Sequence, residues 1–358
     1  MIPLSTSLLE SLGDVHARAN EFSGAHVDSR RIVPGDLFVA VGRGAEFVGD
    51  ALERGAAATL VPQDAFRALA AIAREVRDRS SARIVGITGS MGKTSTKDIL
   101  FALCASSART IAAEASYNNE IGVPLTLCRL EHDTELCILE LAMRGFGQIA
   151  ALCAIAQPHL GVITNVGPVH LELVESLEGV VRAKSELIEA LPGGGTAVVP
   201  ADFPIARDDI EILRVGDPRV ETAAGRTTID GVSFNFTARH QVQNAATALA
   251  AVRALGLTPP AHVDVSFSRW RGDEQPLSGG GLLINDAYNA NPVSMRAALD
   301  YLSQRADGRR RVAILGEMAE LGRTAPAYHR GSARRRRSSA WTSCSPSVSS
   351  PVRIWTQA

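Results

Sequence analysis

The sequence predicts an α/β protein: a central parallel sheet that binds a nucleotide, flanked by two smaller units. Three observations carry that prediction. Apolar strand-like runs ("RIVGIT", "ELCILEL", "HLGVITNV") alternate with helical patterns and end in glycine or polar residues, as in a parallel sheet with crossover helices. Residues 84–104, "IVGITGSMGKTSTKDILFALC", pass from a strand through a glycine turn into a helix that begins near Lys93. The length, 358 residues, exceeds one ordinary domain.

Taken in order, residues 1–82 hold the strand "DLFVAV", a helical stretch around Glu46–Gly55, the strand "AATLV" and an Ala/Arg-rich helix. Residues 83–268 form the alternating central block. Residues 269–330 read as a second βαβ unit: the strand "GGGLLINDAY", the helix "PVSMRAALDYL" opened by proline, and the strand "RRVAILGEM". Residues 331–358 have no acidic residue, a four-arginine run, many serines and no helical or strand period. Their composition fits a disordered basic tail or a segment whose native reading frame has been lost.

Composition narrows the function. A net charge of −1 offers no basic field for nucleic acid, and 5% aromatic content offers no base-stacking platform. No apolar run reaches membrane-spanning length, and the N-terminus lacks the pattern of a secretory signal. The cysteines (104, 128, 137, 153 and 344) form no CxxC pair and read as buried thiols in a reducing cytoplasm.

The glycine turn is the strongest motif. The strict pattern G-x-x-x-x-G-K-[ST] requires glycine at position 87 and finds Ile87; the match is G-x-x-G-x-x-G-K-T from Gly86. The helix after the turn carries Ile99, Leu100 and Leu103 on one face, and its N-terminal amides suit a phosphate. Lys93 would reach the β/γ-phosphates and the Thr94 hydroxyl would hold Mg²⁺. Glu140 and His170 stand at the C-terminal ends of neighbouring strands, where sites gather in open parallel sheets. Lys184 falls on the apolar stripe of Leu177, Val180, Val181, Leu187, Ile188 and Leu191. It is either a snorkelling lysine at the edge of the stripe or a lysine turned toward the metal site.

Set in order, "DSRRIVPGDLFVAV", "ITGSMGKTSTK", "SYNNEIGVPLTL", "ELAMRG", "ITNVGPVHLE" with "AKSELI", "HQVQNAATALAA", "WRGDEQPL", "INDAYNANPVSM" and "AILGEMAELG" resemble the Mur ligase family. Within it they lie closest to the branch that joins D-alanyl-D-alanine to UDP-N-acetylmuramoyl-tripeptide. The resemblance spans residues 26 to about 330. It implies a small α/β N-terminal domain that binds the UDP substrate (1–82), a P-loop ATPase domain (83–268) and an incomplete Rossmann-like C-terminal domain (269–330). It implies ATP and two Mg²⁺ as cofactors, small-molecule partners only, a monomer, and an acyl-phosphate route to an amide in cytoplasmic peptidoglycan precursor synthesis.

On matched positions, Gly89, Ser90, Met91, Gly92, Lys93, Thr94 and Ser95 would cradle the ATP phosphates. Thr94 and Glu140 would hold one Mg²⁺; His170 and Lys184 would serve the second, Lys184 as a carbamate. Asn244 and His240 would face adenine, Arg271 the γ-phosphate and Asp286 the ribose. Ser29 and Arg30 would meet the uridine nucleotide; Tyr117, Asn118 and Asn119 would meet the muramoyl peptide.

The chain also departs from the family. "RGAEFVGDAL" is shorter than the usual loop with Asp-Gly-His, Gln148 stands where an acidic residue is common, and Gln241 replaces asparagine. Beyond Arg330 the family pattern stops, so a third domain that is cut short, with an exposed sheet edge, is expected. Two alternatives are weighed against the main expectation. One is a different amide ligase of the superfamily, of the diamino-acid-adding or folylpolyglutamate kind, against which "DAYNANP" argues. The other is an ATP-binding remnant without ligase activity.

Overall fold

The computed structural model describes residues 1–169, 171–306, 308–337 and 353–356. His170 therefore lies outside the described residues, as do Cys344 and most of the serine-rich tail.

The N-terminal unit is built on a four-stranded sheet in the order Gly13–Ala17, Ala58–Pro62, Asp36–Val39, Gly24–His26. Helix α1 (Ala65–Asp78) closes it. Asp64 starts that helix by accepting from the amides of Phe66 and Arg67, both at 3.0 Å. Ala68, Leu69, Ile72, Ala73 and Val76 recur at helical spacing and are buried. This face packs into a core continuous with the central unit. Arg77 adds a polar tie, donating to the Ala156 carbonyl at 3.0 Å.

The central unit carries six parallel strands: β1 Arg83–Thr88, β2 Thr110–Ala112, β3 Leu136–Glu140, β4 Leu160–Ile163, β5 Thr196–Pro200 and β6 Glu211–Val215. Their order is β6-β5-β4-β1-β3-β2. The chain moves from β1 to one side for β2 and β3, then to the other for β4. The C-terminal end of β1 is thus the switch point where open α/β sheets bind ligands. Helix α2 (Lys93–Cys104) leaves from that point. It buries Ile99, Leu100 and Leu103, the expected face, against the sheet and against a helix that follows in the second half of the unit, α5 (Arg239–Ala254). Helices α3 (Gln148–Ala156) and α4 (Leu177–Glu189) cover the opposite face.

The alternation of strands and helices does not continue to residue 268. Val220–Ala223, Arg226–Ile229 and Val232–Phe234 form an antiparallel meander, joined by His262–Val263. Its two tight turns place Ala224, Gly225, Asp230 and Gly231 all at positive φ, the signature of two-residue hairpins.

The third unit corrects two expectations. Its strand–helix–strand succession is present: Leu282–Asn285, α6 (Pro292–Ala306) and Val312–Leu315. The two strands, however, do not pair as a βαβ unit. Leu282–Asn285 pairs antiparallel with Asp273–Pro276, and Val312–Leu315 pairs antiparallel with Arg353–Thr356. The tail from 331 is also not wholly without period. Helix α7 (Ala325–Arg337) runs seven residues into it, and Arg353–Thr356 is a strand. A helix entered from "APAYHR" continues through arginines, which are good helix formers. The unit's core is small, with Met295, Leu299, Ala313, Met318 and Leu321 buried while Ile314 is 67% exposed.

Candidate active site

The turn after β1 shows why glycine is required there. Gly89 has φ +153° and Gly92 has φ +72°. A Cβ on Gly89 would lie 1.9 Å from Thr164 Oγ1, and one on Gly92 would lie 2.2 Å from Asn244 Oδ1. The loop is clamped on its other side by the segment after β4. The Met91 amide donates to Asn165 Oδ1 at 3.0 Å, Asn165 Nδ2 donates to the Met91 carbonyl at 3.1 Å, and Ser90 exchanges hydrogen bonds with Gly167. Gly92 then caps α2, whose free N-terminal amides point at the turn.

Lys93 lies over this turn, with Nζ donating to the Gly89 carbonyl at 2.9 Å. Burial holds its ammonium below the usual lysine range; Glu140 opposes the shift and Arg271 adds to it. Thr94 Oγ1 donates to Glu140 Oε2 at 2.8 Å, and both residues are buried. Asn118 Nδ2 holds the other carboxylate oxygen of Glu140 at 2.8 Å. From the third unit, Arg271 Nη2 reaches Thr94 Oγ1 at 3.1 Å, and its guanidinium stacks 4.0 Å from the Tyr288 ring centroid.

Lys184 is 2% exposed. Burial pushes its ammonium well below the usual range, and the Lys93 charge adds to the shift. At that exposure the lysine has not snorkelled to water. Lys93 and Arg271 make no ion pair among the described residues. Lys93 and Arg271 thus stand at the turn beside a Glu140 carboxylate already held by Thr94 and Asn118, an arrangement suited to an anion.

A cavity of about 1150 Å³ opens over the turn. Ser90, Met91, Gly92, Lys93, Thr94 and Ser95 line its floor, with Glu140, Asn118 and Asn119 beside them. His240 and Asn244 enter from α5, and Arg271 and Asp286 from the third unit. Burial pushes the Asp286 carboxyl up to about 6, against the pull of Arg271. Burial also lowers the His240 imidazole, which meets Tyr301 edge to face at 5.8 Å.

Not every expected residue joins this cavity. Ser29 is buried and Arg30 exposed in a turn of the N-terminal unit, where Arg30 Nη2 pairs with Asp28 at 2.7 Å; neither lines the cavity. Tyr117 is 38% exposed and also lies off the lining. Its neighbour Ser116 hydrogen-bonds the Tyr288 hydroxyl across the two units.

Thr164, Asn165 and Gly167, which clamp the loop, had no expected role. Their only signal was a polar run directly after a buried strand. Gln241, read only as a departure, is 4% exposed and links Asn244 to Ser95: it accepts from Asn244 Nδ2 at 2.9 Å and donates to Ser95 Oγ at 3.4 Å.

The oxygens fit a magnesium ion. Octahedral Mg²⁺ with ligands at about 2.0–2.1 Å sets neighbouring donors about 2.9 Å apart, close to the 2.8 Å between Thr94 Oγ1 and Glu140 Oε2. Among the described residues no three His, Cys, Asp or Glu side chains cluster. A hydroxyl and a carboxylate are hard oxygens that suit Mg²⁺, which draws remaining ligands from phosphate and water.

Comparison with known proteins gives the family. Residues 87–227 match the Mur ligase middle domain, and residues 274–354 match the Mur ligase glutamate ligase domain. The chain is 34% identical over 337 residues to a UDP-N-acetylmuramoyl-tripeptide–D-alanyl-D-alanine ligase of Synechocystis, covering 84% of this chain and 74% of that protein. Among solved structures, MurF from Acinetobacter baumannii superposes with TM-score 0.79 at 27% identity, covering 93% of this chain and 83% of that one. MurF from Thermotoga maritima in complex with ADP gives TM-score 0.72 at 27% identity, over 87% and 82% of the two chains.

Gly92→Ala is expected to weaken nucleotide binding by about tenfold or more, because its Cβ meets Asn244 and its φ is strained for alanine. Titration calorimetry with ATP checks this, and unchanged affinity would contradict the cradle.

Proposed function

The chain belongs to the Mur ligase family, and from that premise we propose that it is the ATP-dependent ligase that joins D-alanyl-D-alanine to UDP-N-acetylmuramoyl-tripeptide in peptidoglycan precursor synthesis. The observation that carries the proposal is that Lys93 and Arg271 meet at the turn that opens α2, beside the Thr94–Glu140 pair.

A carboxylate does not condense with an amine in water. Here the tripeptide carboxylate oxygen attacks the γ-phosphorus of ATP, the bond to the bridging oxygen breaks, and an acyl phosphate and ADP result. The D-alanyl-D-alanine amine then attacks the acyl carbon. The tetrahedral intermediate expels phosphate, the amine proton is lost, and the amide remains. No covalent enzyme nucleophile is needed. Lys93 and Arg271 neutralise charge that builds on the transferring phosphoryl group. Thr94 and Glu140 are the residues that would hold Mg²⁺, which when bound supplies further charge neutralisation and orients the phosphates.

The remaining roles follow the same reading. His240 and Asn244 face the adenine side, and Asp286 accepts from the ribose. Asn118 and Asn119 meet the muramoyl peptide, while Ser29 and Arg30 meet the uridine nucleotide. We assign Lys184 a carbamate. Its ammonium is held below the usual range, so the neutral amine is available to form a C–N bond to CO₂ with loss of a proton. The product is an oxygen-bearing anion suited to a second Mg²⁺, with His170 as the expected partner. Among the described residues no helix is long and apolar enough to cross a membrane. The substrates are soluble nucleotides and dipeptides, and the compartment we propose is the cytoplasm.

Phosphate release is expected only when UDP-N-acetylmuramoyl-tripeptide and D-alanyl-D-alanine are both present with ATP. Release without the dipeptide, or none at all, would remove the ligase assignment. Lys184→Ala should lower kcat by about a hundredfold or more, with partial recovery on adding short-chain carboxylates; full activity without them discards the carbamate. With Asp286 at about 6, protonation removes its negative charge as pH falls. Nucleotide affinity should therefore drop as pH falls through about 6, and Asp286→Asn should flatten that dependence in a binding titration.

A further inference from the structure

One turn beyond Lys93, helix α2 carries a second lysine that the reaction does not use. Lys97 is 2% exposed. Its ammonium donates to the Ala113 carbonyl at 2.8 Å and the Ala115 carbonyl at 2.7 Å, and it lies 3.1 Å from Asp98 Oδ1. An ammonium has three donors, and these three acceptors satisfy them all.

Both carbonyls belong to the segment that leads from β2 into Tyr117, Asn118 and Asn119. Ala115 sits at φ +47°, which is disfavoured for a residue with a Cβ. The hydrogen bond from Lys97 holds its carbonyl in place. Three residues on, Asn118 bonds Glu140, and its carbonyl accepts from the Ala142 amide at 2.9 Å.

Asp98 faces the other way. Its Oδ2 accepts from the Ser268 amide at 2.8 Å and its Oδ1 from the Ser268 hydroxyl at 3.2 Å. Ser268 lies at the boundary between the central and third units, three residues before Arg271. Trp270, between them, has φ +64°, and its amide donates to Asp273 at 2.5 Å. The linker is therefore pinned at Ser268 just before it turns to send Arg271 to Thr94.

We propose that Lys97 and Asp98 are positioning residues. They register the loop bearing Asn118 and Asn119, and the linker bearing Arg271, against the helix that holds the phosphates. One helix then sets three participants: Lys93 and Thr94 at the phosphate, the loop that presents the muramoyl peptide, and the guanidinium from the third unit. The inference rests on the ligase reading for what the loop presents; the geometry of the tie does not depend on it.

The experiment uses the full chain with Lys97→Met, Asp98→Asn and the double variant, which leaves neither charge buried alone. Lys97→Met is expected to raise KM for UDP-N-acetylmuramoyl-tripeptide about tenfold or more while ATP affinity stays within about twofold. Asp98→Asn is expected to lower kcat about tenfold with that KM within about twofold, because the linker rather than the loop is released. Amide hydrogen exchange should rise over residues 113–119 in Lys97→Met and over residues 266–271 in Asp98→Asn. If Lys97→Met fails to fold, the double variant is read in its place and should show both losses with ATP affinity retained. Unchanged exchange at residues 113–119, or ATP and tripeptide affinities falling together, overturns the inference. A wild-type chain that releases no tripeptide-dependent phosphate overturns the ligase reading instead; the exchange measurement still decides the role of Lys97.

Discussion

The hydrogen bond between Thr94 and Glu140 is the constraint on which the rest of the site depends. It ties the first turn of α2 to the end of β3 across the switch point of the sheet. A hydroxyl and a carboxylate 2.8 Å apart and both buried need other polar groups to satisfy them. Asn118 takes one remaining carboxylate oxygen, and Arg271 takes the hydroxyl. The loop bearing Asn118 and the third unit are thereby drawn to the same point. The tight glycine turn brings the helix amides there, and Lys93 follows because it is the first residue of the helix.

The second constraint is charge. Lys93, Lys184 and Arg271 sit close together, and none has an ion-pair partner among the described residues. Burial disfavours the charged forms of Lys93 and Lys184, and their shifts record that cost. Such an arrangement persists in a folded protein when a ligand supplies the missing anion. A nucleotide phosphate would meet that need for Lys93 and Arg271. A carbamate would meet it at Lys184 by converting the cation itself. The central unit surrounds this point with a large apolar core, while the third unit contributes Arg271 and Asp286 from a small one.

Sequence and structure agree most closely where chemistry is local. A phosphate turn is a contiguous device, so Gly89, Gly92, Lys93 and Thr94 could be read directly, as could the buried face of α2. Lys184 could be placed on an apolar stripe from its spacing, and it is buried as that spacing requires. The clamp by Thr164, Asn165 and Gly167 was not legible, because it rests on β4 lying beside β1 while the chain between them makes several excursions. The meander of Val220–Phe234 was marked by its Ala-Gly and Asp-Gly turns, but its strands are only three or four residues long and carry little periodic signal. The third unit's strands read correctly one by one, yet their pairing did not, because hydrophobic runs specify a strand without naming its neighbour.

By itself, the sequence determined the class of fold, the place of the nucleotide turn and the types of residue available to hold phosphate and magnesium. These depend on short-range spacing and on what each side chain is. Only the tertiary structure decided which of those residues meet. It joined Thr94 to Glu140 and to Arg271, 177 positions away. It brought Gln241 against Ser95 and set Lys97 against the carbonyls of Ala113 and Ala115. Those meetings depend on the order of strands in the sheet and on how the third unit docks, and neither is written in any single stretch of the chain.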